Sequence, residues 1–130
     1  MKTLTVYLLV FFHPLFADPF VDVSDDVINA VRQGNASAIA AYFNDKIDLK
    51  ILDQEEVYSK NQAESILKDF FGKHKVKSFT PSHSSANKSS NQFVVGSLDT
   101  ANGKFRVSFL IKKFDEKYLI SQFRIEKENE

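Results

Sequence analysis

Apolar residues recur along this chain with two periods, and the switch from one to the other divides it roughly in half. From Ala63 they return at Ile66, Leu67, Phe70 and Phe71, the spacing of a helix with one buried face. Ser59 and Gln62 stand ahead of it at capping-box spacing, Glu64 and Lys68 pair one turn apart on the wet side, and Gly72 is the expected stop. Two shorter helices are predicted upstream. The first has Ser24 as N-cap, Asp25 and Asp26 where the helix dipole favours them, and a Val23–Ile28 staple; it closes at Arg32 and Gln33 with Gly34 in the left-handed position. The second starts at Asn35 and carries Ile39, Tyr42 and Phe43 on one side. Ile47, Leu49 and Ile51 then alternate with Asp48 and Lys50, predicting a strand over 47–57.

Beyond Gly72 the period is two. A strand over 76–84 leads into a polar loop over 84–90, and three strands follow as a meander over 92–100, 104–114 and 118–127. The expected order is α-α-β-α-β-β-β-β, an α+β domain with three N-terminal helices packed on an antiparallel sheet. Asn102-Gly103 predicts a two-residue turn, which sets Leu98 against Val107, Gly96 against Phe109, Val94 against Ile111, and Asp99 against Arg106. For the next connection, a two-residue turn at Asp115-Glu116 sets Phe109 against Gln122. A three-residue loop over 115–117 sets it against Phe123 and Val107 against Ile125, and is preferred because it keeps the apolar set on one face.

These registers give the sheet two faces. The inner one holds Val94, Gly96, Leu98, Phe105, Val107, Phe109, Ile111, Leu119, Ser121, Phe123 and Ile125, with no titrating group among them. The outer one carries Phe93, Val95, Leu110, Ile120 and Tyr118, flanked by Lys112, Gln122 and Arg124. That is more apolar than a solvated face requires, and predicts a homodimer interface at Phe93, Val95, Leu110 and Ile120, the alternative being cover by the termini or the Ser-rich loop.

The N-terminus changes the setting. Lys2, the apolar run over 4–16 and the small residue Ala17 ahead of Asp18-Pro19 have the layout of an export signal over 1–17, the alternative being a short membrane anchor. The run is shorter than the ~20 residues of a membrane helix, so no membrane segment is expected after cleavage, and 18–130 is read as a single domain, periplasmic or secreted. With 17 basic and 17 acidic residues the chain is neutral, and losing Lys2 leaves one net negative charge. No global field gathers nucleic acid. The absence of cysteine excludes disulfides, thiol catalysis and thiolate metal sites, while 13 Phe and no Trp point to an aromatic core.

Several phrases resemble the nuclear transport factor 2-like superfamily, also called SnoaL-like or cystatin-like. They are Asp26-Val27-Ile28-Asn29-Ala30 through Gly34-Asn35, Ala41-Tyr42-Phe43, Val57-Tyr58-Ser59, Leu67-Lys68-Asp69-Phe70-Phe71 and Phe105-Arg106-Val107. More narrowly they resemble exported bacterial proteins classed as a domain of unknown function. The resemblance implies a curved sheet wrapping the helices into a cone with a cavity, and dimerisation through the sheet's outer face, as in many members. Its enzymes place an Asp, His, Tyr or Arg inside the cone, a set that does not map onto the inner face here.

The candidate chemistry is correspondingly sparse. Tyr42 and Tyr58 fall at element ends where the cone's mouth is expected, with Asp48 as a partner; with Phe109 and Phe123 they form the candidate ligand site, the alternative for the two phenols and Asp48 being structural hydrogen bonding. His74 and His83 read as solvated loop histidines, since no third metal ligand accompanies them. Asp53, Glu55 and Glu56 read as a solvated charge run without the calcium-loop pattern, and Lys68, Lys73, Lys75 and Lys77 as wet surface. No cofactor is expected. Three readings stay open: a non-catalytic binding or scaffold module for an apolar small ligand or a protein; an isomerase- or hydrolase-type enzyme using Tyr42, Tyr58 and Asp48, which requires the three to converge; and a structural envelope component.

Overall fold

The computed structural model describes residues 19–86 and 91–128; the predicted signal over 1–17 and the loop residues 87–90 lie outside it. The elements are α1 (Pro19–Arg32), α2 (Ala36–Ala40), β1 (Phe43–Ile51), β2 (Gln54–Ser59), α3 (Lys60–Lys73), β3 (Val76–Ala86), β4 (Gln92–Thr100), β5 (Gly103–Phe114) and β6 (Lys117–Lys127). None of the described helices is long and apolar enough to cross a membrane.

α1 is already helical at Pro19, the first described residue, so Ser24 lies inside the helix and is not its cap, and Val23 and Ile28 belong to its buried side rather than to a staple. The other end forms as expected. Gly34 takes φ +61°, its N–H reaches Val31 O at 3.0 Å, and Asn35 N–H reaches Ala30 O at 3.0 Å, the paired bonds of a Schellman ending. Asn35 Oδ1 then accepts from Ala38 N–H at 3.1 Å and caps α2. At α3 both halves of the capping box close at 3.3 Å. The helix passes Gly72 and ends at Lys73, with the His74 N–H on Phe70 O at 2.9 Å.

The strand expected over 47–57 is two strands, β1 and β2, so the order is α-α-β-β-α-β-β-β-β. Leu52 adopts φ 57° and, with Asp53, turns the chain back on itself. The six strands lie in the order β2-β1-β6-β5-β4-β3. All neighbours are antiparallel except β1 and β6, which are parallel.

Both meander turns differ from expectation while the faces largely survive. The β4–β5 turn is centred on Ala101-Asn102, with Gly103 at φ +115° opposite Thr100. Thr100 Oγ1 accepts from Asn102 N–H at 3.1 Å and donates to Gly103 O at 2.8 Å, which holds the turn one residue earlier than expected. The pairing therefore slips by a full side-chain period: Leu98 faces Phe105, Gly96 faces Val107, Val94 faces Phe109, and Asp99 meets Lys104 instead of Arg106. At the β5–β6 turn Phe114 pairs with Lys117 around the two residues Asp115-Glu116, and a bulge between Leu110 and Ile111 then restores Phe109 to Phe123 and Val107 to Ile125. The bulge inserts Ser121 and reverses the faces on its turn side. Ile120 consequently lies in the core at 0% exposure, while Leu119 and Ser121 are only half-buried.

α1, α2 and α3 bury Val27, Val31, Ile39, Leu67 and Phe70 against the sheet's inner residues in one continuous core. At its centre Phe123 stacks on Phe109 with ring centroids 6.0 Å apart and meets Phe43 edge-on at 5.9 Å.

Candidate functional site

The three groups on which an enzyme reading depends do not converge. Tyr42 follows α2, and its hydroxyl donates to Asp26 Oδ2 of α1 at 3.0 Å rather than to Asp48. Tyr58 on β2 faces Ile47, on the core side of the sheet, whereas Asp48 faces Val57 on the opposite side. Alternation along the strand sets them apart. Asp48 lies 3.4 Å from the Gln122 amide, beside the Arg124–Glu55 ion pair at 2.9 Å. Phe109 and Phe123, 1% and 0% exposed, are core residues and line none of the clefts described below. The requirement of the Tyr42–Tyr58–Asp48 enzyme is not met.

Tyr42 is nonetheless perturbed. Partial burial, its hydrogen bond to Asp26 and that carboxylate's negative charge all raise its pKa above 10.0. Because the folded state keeps this proton longer than the unfolded chain, the stabilisation is complete below pH 10.0 and declines as pH rises through the folded value. Chemical denaturation at stepped alkaline pH is expected to show this decline, and Tyr42→Phe is expected to flatten it. An identical alkaline slope in Tyr42→Phe contradicts the assignment.

On the outer face Phe93 stands directly opposite Leu110, both half-buried. Val95 is already 9% exposed, and Ile120 is absent from this face for the reason given above. The expected patch is therefore smaller, and it continues into a cleft of about 420 Å³ floored by Phe93, Val95 and Gly96 and rimmed by Ser82, His83, Ser97, Arg106 and Glu128. Ser97 Oγ donates to Glu128 at 3.1 Å across that rim. Lys50–Glu126 at 3.6 Å and Arg124–Glu55 at 2.9 Å give the neighbouring β1–β6–β2 surface charges of both signs.

His74 is not a solvated loop residue. Its ring stacks on Phe70 at 4.2 Å, meets Phe105 edge-on at 5.1 Å, and places Nδ1 2.9 Å from Phe70 O. It closes one side of a cleft of about 360 Å³ between α3 and the β1–β2 turn, where Ile51, Leu52, Ile66 and Phe70 form the floor. A cleft of about 470 Å³ lies at the α1–α2 junction, between Asn35, Ser37, Lys68 and Phe71. His83 is exposed on β3, and the lysines at 68, 73, 75 and 77 are exposed. Among the described residues no group of three or more His, Asp or Glu side chains stands close enough to hold a metal. Sequence reasoning missed Val57, which is 67% exposed on β2; the signal was present, since an apolar residue in an acidic stretch is unusual for a solvated turn.

The comparisons agree with this geometry. No curated protein matches the chain. A crystal structure of a DUF4783 family protein from Bacteroides uniformis is 40% identical, with a TM-score of 0.78 over 83% of this chain and 99% of that one. A DUF4783 family protein from Bacteroides ovatus is 36% identical, with a TM-score of 0.75 over 81% and 94%. An NTF-2 like protein of unknown function from Shewanella oneidensis, 15% identical with a TM-score of 0.60 over 82% and 95%, shares the fold. The family model for a domain of unknown function, DUF4783, spans residues 24–126, from within α1 to near the end of β6, so the chain belongs to the DUF4783 family.

Proposed function

We propose that this protein is an exported, non-catalytic binding module that works through its surface, with two copies joined by the outer face of the sheet. The observation that carries the reading is the filled interior: Phe43, Phe109 and Phe123 occupy the centre of the cone at 1%, 1% and 0% exposure. Neither an apolar ligand nor a substrate has room among rings packed at 6.0 Å and 5.9 Å. The apolar surface left for recognition is the Phe93–Leu110 pair and the cleft beside it. The mixed-sign ion pairs next to it suit pairing with an identical copy better than with a strongly charged partner.

Native mass spectrometry of the exported protein tests this. A dimer without added small-molecule mass is expected, and Phe93→Asp or Leu110→Asp is expected to give a folded monomer. A buried charge at the centre of an interface costs about 2 kcal/mol or more, a weakening of about 30-fold. A wild type that stays monomeric at its highest soluble concentration removes the dimer. A co-purifying apolar ligand removes the filled interior.

A further inference from the structure

β2 is the end strand of the sheet, paired with β1 on one side only. Its turn decides which main-chain groups face outward. Ile51 and Gln54 close a two-residue turn and so form a hydrogen-bonded pair, which directs the N–H and C=O of Gln54, Glu56 and Tyr58 toward β1 and those of Glu55, Val57 and Ser59 away from it. Ser59 agrees, because its N–H is held by Gln62 Oε1 at 3.3 Å. Glu55 and Val57 are left presenting two donors and two acceptors on the edge, and no backbone bond among the described residues takes them up.

Edge strands are ordinarily guarded by charge. Asp53, Glu55 and Glu56 fit that role, but Val57 does not: at 67% it is the most exposed large apolar side chain among the described residues, and it sits in the strand, not in the turn. Beside it runs a groove of about 320 Å³ lined by Asp53, Gln54, Glu55, Glu56 and Tyr58. Arg124 reaches one carboxylate oxygen of Glu55, Oε1, at 2.9 Å and leaves the Glu55 side chain part-exposed, whereas Asp53 and Glu56 have no ion pair among the described residues. A second copy seated here would bring these acids against their own counterparts. Charge complementarity calls instead for a basic occupant.

We infer that the open edge of β2 receives, by strand addition, an extended segment of another protein that places an apolar residue opposite Val57 and basic residues opposite Glu56 and Glu55. In antiparallel register the segment reads apolar-basic-basic, its first and third side chains sharing the outer face with Val57 and Glu55. The Phe93–Leu110 pair lies on β4 and β5, separated from β2 by β1 and β6, so the main-chain groups of this edge do not depend on the dimer: the mass measurement reports one and the β2 amides report the other.

The test is titration of the isotope-labelled protein with the blocked peptide Ser-Thr-Val-Lys-Lys-Thr-Ser, against the same peptide carrying Glu for both Lys. Shifts and slowed hydrogen exchange are expected at the Glu55 and Val57 amides with the lysine peptide only. Val57→Pro deletes an outward N–H without touching the β1 ladder, and Glu56→Lys reverses one charge. Each is expected to weaken binding at least tenfold while the remaining amide spectrum stays native. Equal response to both peptides, shifts confined to another surface, no response at millimolar peptide, or unchanged affinity in Glu56→Lys overturns the inference. So does protection of these amides by a second copy before any peptide is added.

Discussion

Gly96→Ala is expected to destabilise the domain by about 2–3 kcal/mol, toward the upper end of what a single added methyl costs in a packed interior. A methyl at this position would sit 2.6 Å from two atoms of the Phe79 ring and 2.8 Å from Thr80 O. The ring is 3% exposed and has nowhere to swing, and the carbonyl is main chain on the neighbouring strand. Pro81 pairs with Gly96 beside a bulge between Pro81 and His83, and β3 tolerates Pro81 because it is an edge strand. In a thermal melt the loss corresponds to roughly 10–20 °C. Phe79→Leu in the same chain is expected to return about 1 kcal/mol of it, since the two side chains compete for one space. A Gly96→Ala change within about 0.5 kcal/mol, the ordinary surface range, contradicts the seating of Phe79 on Gly96.

Gly96 also shows what the sequence could reveal. Placing it on the inner face opposite a large residue follows from alternation alone, and that placement holds although its partner is Val107 and not Phe109. Parity is robust to such slips because a shift by a full period leaves every side chain on its own face. Of the element ends that chemistry marks, the Ser59–Gln62 box and Gly34 behave as their residue types require, whereas Ser24 and Gly72 lie within helices. Leu52 carried no such mark. A leucine with positive φ is an uncommon turn residue, so the β1–β2 hairpin read as one strand with continuous alternation. Ile120 failed for a related reason. A bulge leaves no signature in a pattern of apolar and polar positions, and a three-residue loop mimics its effect on Phe109 and Phe123 while leaving Ile120 on the wrong face. The candidate site inherited these errors. Tyr42 was legible as a phenol needing a partner, but the partner is Asp26 on α1, brought close by helix packing that no local pattern encodes.

Phe123→Ala is expected to have the largest effect of any substitution considered, about 3–5 kcal/mol, because it removes a fully buried ring from the centre of the core. The stack on Phe109 at 6.0 Å and the edge contact with Phe43 at 5.9 Å are lost together. The size of the loss discriminates between a filled and a hollow cone. In a hollow one Phe123 would line a cavity, one side of the ring would already lack neighbours, and truncation would cost well under 3 kcal/mol. Denaturant unfolding measures the difference, and Phe123→Leu, expected to lose only part of the contact, keeps the comparison open if the alanine variant does not fold. Small apolar ligands supply the complementary readout. A dry cavity lined by apolar side chains takes up benzene-sized molecules, and binding to the folded state raises the melting temperature. Benzene or indole is therefore expected to stabilise the truncated variant and leave the wild type unchanged. Stabilisation of the wild type to the same extent would mean that the cone already holds space for a ligand, and would return the binding site to its interior.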